Sequence, residues 1–428
     1  MNDTHQGEHD RPRRHDHLLR DFRQSLSADD REPERLEAHV LIEDAVAARA
    51  SDVHMNPEPD GYRIRLRIDG LMTNAMEIDA ESGALIVNQI KAQSGLDPMP
   101  SLKPASGSFS LRIGERAVDL RVTAVRCLPG EKLAMRILAP EQMIGNIPDL
   151  GVPEREVEWL RGWLETAGGM LLVAGPTGSG KTTTLYALLH EIRRQDLQIV
   201  TLEDPVEHEL AGVNQIQVDE KQGLGFDEGS IALLRLDPDC VLVGEIRDGP
   251  SARAAINIAT SGRSLMATLH SRDAIGAVTS LRNMGMHDFE IAPNLSAVIA
   301  QRLVRCLCPK CREPVPMDDA DRRLLQDCGR NAPEETWKAR GCDACNQRGF
   351  SGRIGVFEVW CLSAEDTAAI FRHKHEHTLR KGLAGRGQRL LVDDGLAKAE
   401  QGLTTYRELF HAGVLVPEGG ASEDPARG

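Results

Sequence analysis

Gly175-Pro176-Thr177-Gly178-Ser179-Gly180-Lys181-Thr182 fits Gly-x-x-x-x-Gly-Lys-Ser/Thr, a pattern whose residue types suit the holding of a nucleoside triphosphate. Glycines let backbone N–H groups turn inward on phosphate oxygens, and a helix that starts at the loop adds partial positive charge. Lys181 would reach the β- and γ-phosphates, and the Thr182 hydroxyl would ligate Mg²⁺. Gly175 to Thr183 are thus the expected ATP- and Mg²⁺-binding residues. The plainer alternative is a glycine-rich strand-to-helix turn with a chance lysine.

Three strand ends offer further chemistry. Cys240-Val241-Leu242-Val243 runs into Gly244-Glu245-Ile246-Arg247-Asp248. An acid there can aim a water at a γ-phosphate, so Glu245 is the expected catalytic carboxylate, against the alternative of a surface acid capping a strand. Glu203 and Asp204 close the run from Thr201, and acids at the carboxyl end of a parallel strand face the ligand crevice. Glu203 and Asp204 are expected to hold Mg²⁺-bound waters, unless the run is a plain acidic loop. His270 follows Leu265–Leu269 and would contact a γ-phosphate or Glu245, or sit buried and satisfied.

Cys308-Pro309-Lys310-Cys311 and Cys342-Asp343-Ala344-Cys345 are two matched Cys-x-x-Cys knuckles. Four thiolates at this spacing suit a closed, structural Zn²⁺ site, with redox pairs or unmetallated thiols as the alternatives. Arg63, Arg65 and Arg67 share one strand face, and Arg121 and Arg136 lie on later strands. They form a solvated basic face or reach a γ-phosphate, where an arginine is worth ~10³–10⁵ in rate.

Elements must position these groups. Met170–Ala174 reads as a buried strand before the loop and Thr183–Arg194 as a helix after it. Ile199–Leu202, Cys240–Val243 and Leu265–Thr268 are further apolar strands, as in a parallel sheet. Upstream, Leu36–Ala50 and Leu85–Gln93 have helical spacing. Tyr62–Ile68 alternates up to an Asp69-Gly70 turn, Ser108–Ile113 and Ala117–Val125 flank Gly114-Glu115, and Lys132–Leu138 alternates again. A mixed sheet with packed helices is expected there. The domain reading is a disordered tail at 1–35, an α/β domain at 36–140, a linker at 141–153, an ATPase domain at 154–305, a tetracysteine module at 306–361, helices at 362–416 and a disordered tail at 417–428.

Composition excludes some functions. With 428 residues, a net charge of −14 and 4% aromatics, the chain lacks both the basic surface and the stacking platforms of a general nucleic-acid binder. This weighs against a nucleic-acid translocase, and intact Lys181, Thr182 and Glu245 weigh against a non-catalytic scaffold. No apolar stretch approaches the ~20 residues of a membrane span, and no signal-peptide core opens the chain. A cytoplasmic location follows as the expectation, with membrane association only through partners.

These motifs stand in one order, joined by Ala50-Ser51-Asp52-Val53-His54, Arg67-Ile68-Asp69-Gly70, Val118–Val122, Glu203-Asp204-Pro205-Val206-Glu207, Leu234–Asp239, Thr268-Leu269-His270 and Ala300-Gln301-Arg302-Leu303-Val304-Arg305. The chain resembles the type II secretion and type IV pilus assembly ATPases, the GspE/PilB-like family, over about 38–412. The resemblance implies a PAS-like α/β N-terminal domain, a RecA-like P-loop ATPase domain, an inserted tetracysteine zinc module and C-terminal helices. It implies a homohexamer, peripheral at the inner membrane, that drives a membrane platform extruding pseudopilin or pilin. It makes Glu245 the catalytic glutamate, Glu203 and Glu207 part of an acidic box, His270 a histidine box, and Arg121 and Arg136 the candidate N-terminal-domain arginines. The family's Lys-Arg-x-Pro-Gln-Asp-Gly-Arg stretch is replaced by Ser101-Leu102-Lys103-Pro104-Ala105-Ser106-Gly107-Ser108, and its x-Glu-Thr after Asp248 by Gly249-Pro250-Ser251. Arg263 stands where a histidine is common. The residues ahead of Ala38 read as too few for the separate adaptor domain, so a short form is expected.

Overall fold

The structure, a computed structural model, describes residues 18–27, 36–100, 102–138, 145–166, 168–192 and 197–417. Two compact units emerge, residues 1–141 with 340–351, and residues 142–339 with 352–428.

In the first unit, helices α1 (Arg20–Ser27) and α2 (Glu37–Ala47) precede strands β1 (Ala50–Glu58), β2 (Gly61–Ile68) and β3 (Leu71–Ile78). Helix α3 (Ala80–Gln93) leads to β4 (Ala105–Ile113), β5 (Arg116–Arg126) and β6 (Glu131–Leu138). The sheet order is β3-β2-β1-β6-β5-β4. Every adjacent pair is antiparallel, including β1 with β6, which corrects the expected mixed sheet. The reason lies in the connections. Short turns join β1 to β2, β2 to β3, β4 to β5 and β5 to β6, and such turns reverse the chain. Period-two alternation then gives each strand one apolar face. Val53, Met55, Ile64, Leu66, Leu120, Val122, Leu133 and Met135 are buried there with residues of α2 and α3. Arg63, Arg65 and Arg67 alternate onto the other face.

The expected tail needs correction over residues 18–27. Leu18, Leu19 and Phe22 are buried in this same core, with Phe22 at 0% exposure. The Phe22 N–H donates to Asp44 Oδ2 at 2.9 Å, and burial raises the Asp44 carboxyl above its ordinary value. Charged neighbours dilute the apolar stripe in the sequence, but packing on α2 supplies its partner. The rest of that expectation, residues 1–17 and 28–35, lies outside the described residues, as does the end at 418–428.

The second unit opens with a 3₁₀ turn (Ile147–Leu150) in the expected linker; Ile147 and Val152 are buried, so this stretch is packed rather than a spacer. There follow α4 (Glu154–Thr166), β7 (Gly169–Ala174), α5 (Lys181–Ile192), β8 (Ile199–Glu203), β9 (Asn214–Gln217), α6 (Phe226–Leu234) and β10 (Cys240–Ile246). The chain continues through α7 (Gly249–Thr260), β11 (Ser264–Leu269), α8 (Ala274–Asn283), α9 (Asp288–Asn294) and β12 (Leu295–Leu307). Then come β13 (Arg312–Pro316), α10 (Asp319–Asp327), β14 (Glu335–Ala339) and β15 (Phe350–Cys361). Helices α11 (Ala364–Phe371), α12 (Glu376–Gly385), α13 (Leu391–Glu400) and α14 (Tyr406–His411) complete the unit.

The main sheet has the order β15-β12-β7-β11-β10-β8-β9, and its β12-β7-β11-β10-β8-β9 stretch is parallel. Helices cover both faces, so strands such as Met170–Ala174 are apolar at every position. Leu171 and Val173 pack with α4 and α5, whereas Met170, Leu172 and Ala174 pack with α7, α8 and α9. Strands β13 and β14 form a separate antiparallel pair. Among the described residues no helix is long and apolar enough to cross a membrane.

Candidate functional site

The loop after β7 lies in the strand–loop–helix setting its sequence requires. Gly178 and Gly180 hold φ of 77° and 89°, left-handed conformations that a side chain would strain. Helix α5 begins at Lys181, so its first N–H groups lack intrahelical carbonyl partners and present a partial positive charge at the loop. Pro176, Thr177 and Gly178 are exposed, as is Thr182, whose hydroxyl is therefore accessible to a metal ion. Lys181 Nζ donates to Gly175 O at 2.9 Å and Pro176 O at 3.3 Å, and lies 3.5 Å from His270 Nδ1. Burial pulls the Lys181 ammonium below its ordinary pKa; the Glu245 charge opposes this and Arg302 adds to it.

Glu245 lies on β10, and His270 directly follows the neighbouring parallel strand β11. His270 Nε2 is 2.5 Å from Glu245 Oε1. The other carboxylate oxygen accepts from Arg247 Nε, and Arg247 Nη1 reaches Asp204 Oδ2 at 3.4 Å. The hydrogen bond to Glu245 raises the Arg247 pKa further. The structure thus brings Lys181, His270, Glu245, Arg247 and Asp204 into one chain of charged contacts. The sequence reading gave Arg247 no part in it. The signal is present in the sequence, since Arg247 follows Glu245 by two residues just past the end of β10, where extended backbone puts alternate side chains on one face.

Gly244 precedes Glu245 on β10. A Cβ there would lie 3.3 Å from Glu203 Cα on β8, and its carbonyl accepts from Thr268 Oγ1 at 2.6 Å. Close strand packing favours glycine at that point. Asp248 caps α7 through Ser251 N at 2.9 Å and Ser251 Oγ at 2.6 Å, which lowers its pKa. Ser251 thereby keeps a hydroxyl in the capping position despite the altered sequence around it. Arg263 is tied to the loop before β10, donating to Pro238 O at 2.9 Å.

Glu203 requires a correction to the expected crevice-facing acid. Only 3% exposed, it accepts from Tyr186 Oη at 2.5 Å, Thr201 Oγ1 at 2.6 Å and Gln215 Nε2 at 3.1 Å. Burial and then the bond to Glu203 raise the Tyr186 pKa. Adjacent strand residues point to opposite faces, so Glu203 turns inward and Asp204 outward to Arg247. Glu207 is half-buried beyond that strand.

Arg121 and Arg136 belong to the first unit. They are directly opposite each other across β5 and β6. Asp52 on β1 is the register partner of both Arg136 and Arg67, and it lies 3.6 Å and 3.3 Å from them respectively.

The Sγ atoms of Cys308, Cys311, Cys342 and Cys345 lie within 4.8 Å of one another. Cys342 and Cys345 have their sulfurs 3.8 Å apart, and Cys345 Sγ accepts from the N–H groups of Cys342 and Gly349, both at 3.2 Å. Four thiolates at about 2.3 Å around a tetrahedral Zn²⁺ stand roughly 3.8 Å apart, so donor set and spacing fit that ion. Amide N–H donors to sulfur suit the thiolates that a metal ion needs.

The profile of a family described as Type II/IV secretion system protein matches residues 27–411. The chain belongs to this family. Among its secretion-family relatives, the type II secretion system protein E of Pseudomonas aeruginosa is 37% identical over 372 residues, covering 87% of this chain and 74% of the relative. The type II secretion system ATPase E of Vibrio cholerae is 37% identical with the same coverage. Of solved structures, the Legionella pneumophila ATPase DotB aligns with a TM-score of 0.65 at 20% identity, covering 90% of this chain and 98% of that one. The pilus retraction motor PilT with bound ADP aligns at 0.59 and 22% identity, covering 92% and 98%. Both support the fold of this secretion-family chain.

Proposed function

We propose that this chain is an ATPase motor of the type II secretion or type IV pilus class. It is an ATP-hydrolysing enzyme that works as a homohexamer at the cytoplasmic side of an inner membrane, reaching the membrane only through a platform partner. Hydrolysis drives the assembly of pseudopilin or pilin subunits. The single observation that carries this reading is the run of contacts from Lys181 through His270 and Glu245 to Arg247 beside the glycine loop.

In this scheme Gly175–Thr183 cradle the triphosphate and Lys181 neutralises charge at the β- and γ-phosphates. The Thr182 hydroxyl would hold Mg²⁺, which would supply charge neutralisation at the phosphates. Glu245 accepts a hydrogen bond from water and aims its oxygen at the γ-phosphorus. A new P–O bond forms from the water oxygen as the bond to the β-phosphate oxygen breaks, the electron pair staying on ADP and the water's protons ending on the released phosphate. His270 and Arg247 hold the Glu245 carboxylate from both sides. Glu203, buried, positions the strand end from which Asp204 meets Arg247. Arg121 and Arg136 are the arginines proposed to stabilise charge on the transferring phosphoryl group. Cys308, Cys311, Cys342 and Cys345 hold a structural Zn²⁺. The proposal has its test in native mass spectrometry of the full chain with ATP and Mg²⁺. Six copies are expected, and a persistent monomer that hydrolyses ATP at full rate contradicts the ring motor.

A further inference from the structure

The run Ala300–Arg305 has so far no part in the chemistry. Strand β12 pairs with β7, with Ala300 beside Ala174, so Gln301 arrives next to Gly175 at the start of the loop. Its backbone closes on the loop there, since a Cβ at Gly175 would lie 2.6 Å from Gln301 O. Its side chain does more. Gln301 is 1% exposed and Thr184, on the first turns of α5, is 2% exposed. Gln301 Nε2 donates to Ser179 O at 2.7 Å, and Gln301 Oε1 accepts from Thr184 Oγ1 at 2.8 Å. A carbonyl can only accept, so the NH₂ end must face Ser179 and the amide has one orientation.

Across a trans peptide the C=O and the following N–H point in opposite directions. Holding the Ser179 carbonyl against β12 therefore turns the Gly180 N–H away from Gln301. The same peptide adjoins Gly180, at φ 89°, where glycine makes reorientation easy. Turned over, it would direct a carbonyl, not an N–H, at a phosphate. We propose that Gln301 is a positioning residue for ATP hydrolysis: it locks the Ser179–Gly180 peptide so that its N–H serves the phosphates, and Thr184 holds Gln301 in place. The inference rests on reading residues 175–183 as the nucleotide cradle.

The test uses the full chain, with ADP affinity by calorimetry, kcat and KM for ATP, and thermal melting. Gln301→Met keeps the volume and removes both hydrogen bonds. ADP should bind about tenfold more weakly or worse, the loss expected for one or two buried hydrogen bonds. Gln301→Glu keeps the acceptor for Thr184 but lacks a donor for Ser179 O, so it should lose as much at pH 8 and recover in part as the pH is lowered. Thr184→Val should weaken ADP less, about threefold, and add little to Gln301→Met, because the two residues act through one amide. A Gln301→Met chain that binds ADP within twofold of the parent overturns the inference. Should that variant not fold, Thr184→Val decides: parental ADP affinity and kcat/KM overturn it. An unmodified chain that takes up no ADP sinks the cradle reading itself, whereas a parent that binds ADP beside an equally competent Gln301→Met sinks this inference alone.

Discussion

His270 bridges Lys181 and Glu245, with Nδ1 3.5 Å from the Lys181 ammonium and Nε2 2.5 Å from a Glu245 oxygen. A carboxylate can only accept, so Nε2 donates to Glu245 while Nδ1 faces the lysine. The histidine thereby links the phosphate-binding lysine to the water-aiming carboxylate. His270→Ala should leave ADP affinity within about twofold of the parent and lower kcat by about 10²-fold, the scale expected for a misplaced catalytic group. Steady-state kinetics with a separate ADP titration checks this; an unchanged kcat contradicts it.

Lys398 is nearly buried and donates to Gly151 O at 2.7 Å, Gly355 O at 2.8 Å and Asp394 Oδ2 at 2.5 Å. It joins the segment before α4, strand β15 and helix α13. Burial lowers its pKa and the Asp394 charge resists. Lys398→Met would leave the buried Asp394 carboxylate with only the Phe357 N–H and Arg389 at 4.0 Å, and would take this donor from two carbonyls, so unfolding free energy should fall by about 3–5 kcal/mol. Denaturant titration measures it, and a change under 1 kcal/mol would show that the pair contributes little.

Asp318 is the N-cap of α10, and its carboxyl is held down at about 2 by Lys338, by the Asp321 amide and by Arg407. A depressed acid stabilises the fold above its ordinary value of 3.8 and loses that contribution as pH falls through the folded value. The affected window is therefore about pH 4 to 2. Asp318→Asn keeps a good cap and removes the charge, so the acid limb of the melting temperature should become shallower in that window. An unchanged acid limb would contradict this.

Much of the site could be read from residue order, and what could not has physical causes. The loop, β7, β8, β10 and β11 announce themselves because a parallel strand covered on both faces is apolar throughout. Strand β12 does not, because Gln301, Arg302 and Arg305 interrupt its apolar run and find their partners only in the folded unit. Glu203 and Asp204 look alike in a sequence, and only the strand's pleat decides which one turns toward Tyr186. The α1 helix was hidden because its charged residues lower the local hydropathy while Phe22 is buried by α2.

The tetracysteine cluster should carry one Zn²⁺ per chain by elemental analysis. Zinc contributes ~10–16 kcal/mol to the folding of such a module. Cys308→Ser should raise hydrogen exchange across residues 306–350 and leave ADP binding intact. A zinc content near zero contradicts the assignment.

The most direct measurement is single-turnover hydrolysis of ATP by Glu245→Gln, paired with its ATP affinity. The substitution keeps the shape and removes the charge that aims the water. The expected result is parental binding with cleavage slowed by about 10²–10⁴-fold. Cleavage at close to the parental rate would contradict the account.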